Sequence, residues 1–468
     1  MNSQYSLQEE NQLVAQNCDP YTLIIGVICG SAKQFAPLLH DINKLSQNSF
    51  ICSIEVQILL NGECAESLNR KISELSINSS KLSFHLMVAE QNEATIPIEK
   101  ARSILQKRLG TVMDGFENSV VWILDDDMRI PKVAEVYLTW LPRFKFEGID
   151  VLLGNFEGSS PNPPAHGIRV QLNDLIYNLR WFEELKENTH LPNRSNENGQ
   201  FRKRYSDYYY DLSRKHKGHL TEPYWVEPSH GNESVHDARE RVLGNLSKIL
   251  TGEPFLRPLV VETPNNPIEA SVPSSNRGGN TFVFNSAALK QTPNTILLSN
   301  GSENRRSDMI WAIINRYYHG FKIHAVSFPV YHHRFIGLND EINLEKTVAE
   351  IRGSAVYAAL QTFFDRNTKS NWCFNTEECQ FTFRLYNEYI ARRLSLYKEN
   401  FIECEKLLGQ IENEFTQYED RIALFVSQTK KWINNSSLEY IDNTSNSENF
   451  ESFSTFLNSI KSQIENYV

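Results

Sequence analysis

Apolar residues in the first third of the chain form short continuous runs, and segments with helical spacing separate these runs. Four of the runs are rich in β-branched residues and are predicted to be buried strands, at 22–29, 54–60, 82–88 and 120–124. Helical spacing appears between them at 35–45 and 97–112. This alternation is typical of parallel βαβ units, which bind ligands beyond the carboxyl ends of their strands.

The pattern changes after a fifth predicted strand at 151–155. Residues 156–276 are rich in proline, asparagine, glutamate, arginine and tyrosine, and contain one clear helical pattern near 171–186. A compact domain rarely contains so much irregular chain, so this segment is predicted to be an insertion. The regular pattern then returns as a strand, a helix and a strand, at 281–285, 308–318 and 322–328.

The chain from residue 341 onward is predicted to be helical. Apolar and aromatic residues from Ile390 to Phe425 are spaced by four and three in alternation, which predicts a heptad seam five repeats long. A shorter seam begins at Leu344. Tyrosine and phenylalanine at seam positions favour a mixed bundle. Heptads alone do not separate packing within the chain from contact between subunits, so a homo-oligomer through these helices is a second expectation.

These patterns predict five parts. A flexible tail (1–19) is followed by the first half of an α/β core (20–155) and by an insertion on the acceptor side of that core (156–276). The second half of the core (277–340) and a helical domain (341–468) complete the chain. The 468 residues are 40% hydrophobic and 22% charged, which indicates a globular protein. The net charge of −10 argues against a protein that coats nucleic acid or an anionic membrane through its overall field.

No apolar run is long enough to cross a bilayer, since the longest, at 23–29, is far shorter than the roughly 20 residues that a spanning helix needs. The N-terminus lacks the basic start and apolar core of a signal peptide. The seven cysteines show no zinc or redox spacing. Together these features predict a cytoplasmic protein without an integral membrane segment.

The strongest chemical signal is the run Asp125-Asp126-Asp127, directly after the predicted strand at 120–124. Three adjacent carboxylates repel one another, and a cation among them relieves that repulsion. Mg²⁺ and Mn²⁺ prefer such oxygen ligands. Because alternate side chains of an extended segment share a face, Asp125 and Asp127 can face one ligand while Asp126 points elsewhere. An ordinary acidic loop at a strand end is the simpler alternative.

Three reactions use an acidic cluster at a strand end: phosphoryl transfer of the haloacid-dehalogenase type, nucleotidyl transfer to a sugar phosphate, and glycosyl transfer from a nucleotide sugar. Met128-Arg129 after the acids counts against the first reaction. The second usually needs a glycine-rich phosphate loop, of which residues 30–33 are a poor version. In the third, a metal ion bridges the diphosphate and stabilises the departing charge.

Four motifs then follow in order: Ala101-Arg102-Ser103, Asp125-Asp126-Asp127, Gly278-Gly279-Asn280 and Ser307-Asp308, with Gly320-Phe321-Lys322-Ile323 and His332-His333 after the last. In this order they resemble the motifs of family-two-like glycosyltransferases of the GT-A fold. The resemblance covers about 20–155 and 277–335. It implies a Rossmann-like, mainly parallel α/β sheet flanked by helices, here with a large insertion and a C-terminal α-helical domain.

The resemblance also implies roles for single residues. Asp125 and Asp127, similar to the Asp-x-Asp (DXD) motif, would hold Mn²⁺ or Mg²⁺ and the diphosphate of a nucleotide diphosphate sugar, with a UDP-sugar as the first expectation. Asp126 would contact the sugar or the ribose, and Arg102 would approach the donor. Asp308 would be the general base on the acceptor hydroxyl, and direct attack assisted by one base predicts inversion.

Further positions are assigned to the donor and metal sites. Gly278, Gly279 and Asn280 resemble the family's Gly-Gly-Asn segment, which precedes the acceptor site, and are expected among the donor-binding positions. The family has an acid after its second strand to anchor the ribose, and this chain offers Asn61 and Glu63 there.

Two of these motifs also have a simpler structural explanation. Asp308 begins a predicted helix, where the dipole keeps a carboxylate ionised, but it would also suit a helix cap. His332 and His333 offer one metal ligand between them, since only one can face the metal, but a surface pair is the alternative. Ser307 replaces the glutamate of the family's Glu-Asp pair.

Residues 201–217 interleave cations with aromatic rings. Such a surface suits an anionic acceptor, and a solvated loop is the alternative. The sequence therefore predicts a metal-dependent, inverting glycosyltransferase that acts on a glycan or another hydroxyl acceptor. A sugar-phosphate nucleotidyltransferase is one alternative, and a non-catalytic scaffold of this fold that binds partners through its C-terminal helices is another.

Overall fold

The computed structural model describes most of the chain, namely residues 19–62, 65–74, 80–88, 95–158, 164–198, 223–251, 255–256, 264–276, 278–299, 302–333, 344–367, 372–435 and 438–467. The strands within these ranges are β1 (Tyr21–Cys29), β2 (Ile51–Leu60), β3 (Leu82–Val88), β4 (Ser119–Asp125), β5 (Met128–Arg129), β6 (Val151–Gly158), β7 (Val272–Pro273), β8 (Asn280–Val283), β9 (Leu298–Ser299), β10 (Ser302–Glu303) and β11 (Ile323–His332). Glu63, Arg277 and the basic segment 201–217 lie outside the described residues.

The helices are α1 (Ala32–Leu45), α2 (Ala65–Glu74), α3 (Ile98–Met113), α4 (Lys132–Leu138), α5 (Leu141–Phe146), α6 (Pro164–Glu184), α7 (Val235–Leu243), α8 (Lys248–Thr251), α9 (Pro267–Ala270), α10 (Ser286–Lys290), α11 (Ser307–Ile313), α12 (Leu344–Arg366), α13 (Thr376–Glu414), α14 (Glu419–Asn435), α15 (Leu438–Ser445) and α16 (Phe450–Glu465). A single π-helical segment, Ile314–Tyr318, continues α11.

The main sheet has the strand order β3-β2-β1-β4-β8-β6-β11-β5, and β7 pairs with β11 beside this path. The pairs β3–β2, β2–β1, β1–β4 and β6–β11 are parallel. Strand β8 runs antiparallel between β4 and β6. This mainly parallel sheet, its flanking helices and the C-terminal helical region confirm the predicted fold class.

Alternation along β1 explains why the sheet is covered on both faces. Leu23 and Ile25 pack with Phe35 of α1, while Ile24 packs on the opposite face with Leu109 of α3. All five side chains are fully buried. A strand buried on both faces needs an apolar residue at every position. Parallel pairing with β1 places the carboxyl end of β4 beside the carboxyl end of β1.

The predicted insertion contributes helices to the C-terminal core. Leu172, Leu175 and Leu179 of α6 belong to one buried cluster with Ile390 and Leu394 of α13. Helix α6 begins seven positions earlier than the sequence pattern indicates. Helix α6 therefore buries its apolar face against α13, and this part of the insertion shares a hydrophobic core with the helical region.

Helix α13 begins at a capping box formed by Asn375 and Glu378, and it packs against α6, α12, α14 and α16. Its seam residues are buried within the chain. The prediction of one uninterrupted seam is wrong at Phe415, where α13 has ended and the chain turns through a short 3₁₀ segment into α14. In the part of the chain that the structure describes, none of the helices combines the length and the apolar character needed to cross a membrane.

Candidate functional site

The strand β4 ends in the carboxylate cluster, and the chain then turns back on itself. Asp125 is the last residue of β4, Asp126 and Asp127 form the turn, and β5 pairs with the end of β11. This pairing brings His332 beside the turn, with its Nε2 3.0 Å from Oδ2 of Asp127. The side chains of Asp127 and His332 are both buried. The turn therefore joins a carboxylate and an imidazole that are distant in the sequence.

Asp125 and Asp308 approach each other across a cleft. The Asp125 side chain is open to solvent, but the surrounding protein displaces enough water to raise the pKa of its carboxyl, and the negative charge of Asp127 raises it further. The charges of Arg102 and His332 lower the pKa of Asp125, whereas the charge of Asp308 also raises it. The five groups therefore lie in one region of the protein, here called the cleft, in which Arg102 acts by its charge on Asp125 and lies 3.7 Å from Oδ1 of Asp308.

Arg102 of α3 connects the two halves of the core at the start of α11. Its Nη1 donates a hydrogen bond of 3.1 Å to Oγ of Ser307 and lies 3.7 Å from Oδ1 of Asp308. Asp308 is in the first turn of α11 and is largely buried. The serine that replaces the expected glutamate thus accepts a hydrogen bond from the arginine, whose charge lies beside Asp308.

Asp126 points away from this pair and toward the end of β1. Its Oδ2 accepts a hydrogen bond of 2.9 Å from the Gly30 N–H. Burial raises the pKa of Asp126 to about 6, although this bond and one from the Ser31 backbone lower it, and the neighbouring charge of Asp127 adds to the rise. Asp126 therefore joins the carboxyl ends of β4 and β1.

The glycine segment lies directly against Asp125. The Gly279 carbonyl accepts a hydrogen bond of 3.3 Å from the Asp125 N–H, and a Cβ on Gly279 would stand 1.9 Å from Asp125 Oδ2. Asn280, in contrast, is fully buried, because its side chain accepts a bond from Trp122 and donates to the Asn155 carbonyl. A side chain at position 279 would therefore displace the Asp125 carboxylate from its present position, while the Asn280 side chain lies in the core of the sheet.

The remaining predicted positions are placed as follows. Asn61 uses both ends of its amide to bind the backbone of Ile96, at 2.8 and 3.0 Å, and so fixes the segment that leads into α3. The carbonyl of Gly278 accepts a hydrogen bond of 3.1 Å from the Thr281 hydroxyl. His333 follows the end of β11, where its N–H donates a hydrogen bond of 2.9 Å to the Asp127 carbonyl and it lines a depression with Lys132. His332 is therefore the histidine next to the carboxylates.

The carboxylate turn offers part of a metal site. Among the described residues, no three His, Cys, Asp or Glu side chains are close enough together to hold a metal ion by themselves. Asp125 and Asp127 supply two carboxylates and His332 one imidazole. Mg²⁺ and Mn²⁺ sites commonly combine one or two carboxylates with substrate phosphate oxygens and water, so this set fits an ion that a ligand helps to hold. Burial is the main cause of the raised pKa of Asp125, and the charge of Asp127, which a cation between the two carboxylates would offset, is the next.

Two groups near the cleft were missed by sequence reasoning. Glu350 of α12 is buried and binds Arg306 and Arg305, the residues that precede α11. Burial raises the pKa of Glu99 on α3, and the charge of Glu303 raises it further. Nothing in the local sequence marks either glutamate, since each occurs within an ordinary helical pattern and its partners are far away in the chain.

No protein-family model matches the chain, and no curated protein matches its sequence. Among the solved structures that resemble the fold are three glycosyltransferases. A mannosyltransferase from Pyrobaculum calidifontis in complex with GDP-Man and Mn²⁺ has 8% identity and a TM-score of 0.38, over 94% of this chain and 96% of that one. TarS 1-349 from S. aureus has 11% identity and a TM-score of 0.35, over 94% and 92%.

Glucosyl-3-phosphoglycerate synthase from Mycobacterium tuberculosis, in complex with phosphoglyceric acid, has 10% identity and a TM-score of 0.32, over 76% of this chain and 83% of that one. With TM-scores below 0.5, these similarities are too distant to transfer a function. The functional argument therefore depends on the residues of the cleft.

Proposed function

We propose that this protein is a metal-dependent, inverting glycosyltransferase that moves a sugar from a nucleotide diphosphate sugar to an acceptor hydroxyl. The observation that carries the proposal is the position of Asp125 and Asp308 around one cleft, close enough for their charges to interact, with Arg102 beside both. A cluster of carboxylates for a cation, a guanidinium for a phosphate and a separate base are the three elements that this reaction needs.

The donor would bind at the carboxylate turn. Asp125, Asp127 and His332 would hold Mn²⁺ or Mg²⁺ together with the diphosphate oxygens of the donor. When bound, the ion neutralises negative charge on the departing diphosphate. Asp127 lies 3.0 Å from His332 and so orients its imidazole ring. The guanidinium of Arg102 adds positive charge on the same side of the cleft.

Asp308 would act on the acceptor. Its carboxylate takes the proton of the acceptor hydroxyl while that oxygen forms a bond to the anomeric carbon of the sugar. The bond from this carbon to the diphosphate oxygen breaks, and the nucleoside diphosphate leaves with the electron pair. Because the attack is a single displacement, the configuration at the anomeric carbon inverts. The guanidinium of Arg102, with its Nη1 3.7 Å from Oδ1 of Asp308, would hold this carboxylate in position for the proton transfer.

The proposal is tested by thermal unfolding with nucleoside diphosphates and nucleotide sugars, each with and without Mn²⁺. A ligand at 100 times its Kd adds about 2.7 kcal/mol of stability, and this gain should require the metal. Asp127→Asn should weaken the metal-dependent binding on the order of 10–100-fold. Asp420→Asn, on the exposed surface of α14, is the control that should bind normally.

Two results would count against the proposal. One is that the nucleotide ligands stabilise Asp127→Asn and Asp420→Asn equally, whether or not Mn²⁺ is present. The other is release of pyrophosphate from a nucleoside triphosphate and a sugar phosphate, which indicates nucleotidyl transfer. The structure provides a reason to disfavour the latter, since the Gly30 N–H at the end of β1 is already bound to Asp126 and the first loop offers one backbone donor fewer to a phosphate.

A further inference from the structure

Helix α12 fixes the backbone that precedes Asp308. The Arg305 N–H donates a hydrogen bond of 3.1 Å to the Ala349 carbonyl. Gly353, one turn further along α12, packs so closely that an added Cβ would stand 1.9 Å from the Arg305 carbonyl oxygen. A backbone held by a hydrogen bond on one side and by close packing on the other has little freedom to move.

Glu350 of the same helix binds the side chains of this segment. Its carboxylate forms ion pairs with Arg306 and, at 3.5 Å, with Nε of Arg305. Burial by itself would raise the pKa of Glu350, but the charges of Arg306 and Arg305 outweigh it and lower this pKa. Glu350 is therefore a buried, ionised carboxylate with two guanidinium partners.

Arg306 has an unusual backbone conformation. Its φ of 77° makes it the one non-glycine residue with a left-handed backbone among the residues that the structure describes. Such a conformation is costly for a side chain with a Cβ, and it persists only where the surroundings impose it. Because Arg306 immediately precedes α11, its conformation sets the direction in which that helix begins and where Asp308 points.

We propose that Glu350 is a positioning residue for Asp308: it holds the Arg305–Arg306 turn in place and retains both guanidinium groups at its own carboxylate. This inference depends on the proposed function. The negative charge of Asp308 is near enough to act on Glu350. Without the Glu350 charge, Asp308 can compete for these arginines, and an arginine bound there would occupy an oxygen that has to receive the proton.

The test replaces the charge and keeps the shape. Glu350→Gln should lower kcat on the order of 10–100-fold, because small displacements of a reacting group have effects of this size, while the KM for the donor stays within about twofold. The matched control is Glu233→Gln, which also removes the charge of a buried glutamate bound by an arginine, Arg241, in the loop before α7. It should destabilise the fold without changing kcat.

A second variant moves the same segment without changing any charge. Gly353→Ala should push Arg305 away from α12 and lower kcat in the same way. Gly409→Ala on α13, where an added Cβ meets nothing within 4 Å, is its control and should leave kcat unchanged.

The outcomes separate this inference from the function on which it depends. Wild-type protein that transfers no sugar refutes the proposed function and the inference with it. Wild-type transfer together with unchanged kcat in Glu350→Gln refutes the inference alone. An equal loss of kcat in Glu233→Gln, or a rise in donor KM that accounts for the whole loss in Glu350→Gln, also refutes it, since either result indicates a general loss of structure.

Discussion

The carboxylates at the end of β4 and the carboxylate at the start of α11 reach the same cleft by different structural routes. Asp125 and Asp127 follow directly from a buried strand, and the neighbouring strands of the sheet determine where they lie. Asp308 depends on distant parts of the chain, since Arg102 and Ser307, which form a hydrogen bond, are 205 positions apart. One side of the cleft is therefore a property of the sheet and the other a property of tertiary contacts.

The two sides also differ in charge. At the end of β4, burial raises the pKa values of Asp125 and Asp126, and the adjacent charge of Asp127 raises both further. Before α11, opposite charges are paired, and the arginines lower the pKa of Glu350. The strand side holds negative charge that a cation can neutralise, whereas the helix side is neutralised within the protein. The two sides should therefore respond differently to mutation, metal and pH.

The largest difference is expected from Asp308→Asn. The amide keeps the size of the side chain but cannot take a proton, so kcat should fall on the order of 10²–10⁴-fold. The metal-dependent affinity for the donor should stay within about twofold, because the donor is held by the strand side. Rates and donor binding are measured on the same preparation.

Asp237→Asn is the matched control, since Asp237 is also in the first turn of a helix but is exposed on α7. Its kcat should equal that of the wild type. If Asp308→Asn transferred sugar at the wild-type rate, the division of the cleft into a donor side and a base side would be wrong.

The same division explains what the sequence could predict. The parallel sheet, the helical C-terminal region and the carboxylate run all follow from patterns that are local in the chain. A buried apolar strand followed by Asp125 and Asp127 has one place in a parallel sheet, at its carboxyl edge. The alternation along β11 allowed one histidine to face these carboxylates, and the structure shows that it is His332.

Predictions that required knowledge of tertiary partners were less successful. Asn280 was expected at the ligand, but its amide is bound by Trp122 in the core. Asn61 was also expected at the ligand, and both ends of its amide are bound to Ile96. Glu350 was not identified at all. A side chain that serves as a hydrogen-bond partner inside the fold has the same sequence signature as one that faces a ligand, so only the three-dimensional contacts separate them.

A smaller effect is expected from Gly279→Ala on the strand side. The new methyl group would overlap Asp125 Oδ2, so either the Asp125 carboxylate must turn away or β4 or β8 must shift. We expect a loss of about 1–3 kcal/mol in the free energy of unfolding, typical of overpacking, and weaker metal-dependent binding. Gly231→Ala is the control, because nothing lies within 4 Å of its added Cβ. Equal stability of the two variants in urea would show that Asp125 and the glycine segment are not in close contact.

The smallest effect concerns the charge of Asp126. Its pKa is raised from 3.8 to about 6 in the folded protein. Between these pH values the folded state binds more protons than the unfolded state, so this group makes the metal-free protein less stable as pH rises from about 4 to about 6, and the loss persists above that range. Asp126→Asn removes the charge and can still accept the Gly30 hydrogen bond.

In the presence of a chelator, Asp126→Asn should therefore be more stable than the wild type at pH 7.5, by on the order of 1 kcal/mol after screening by solvent, and this advantage should disappear toward pH 4. Urea unfolding of both proteins across this pH range measures the difference. Mn²⁺ should reduce it, because a cation at Asp125 and Asp127 offsets the charge of Asp126. Parallel curves for the two proteins at every pH would mean that burial and the neighbouring carboxylates do not raise the pKa of Asp126, and the contrast with the lowered pKa of Glu350 on the helix side would then fail.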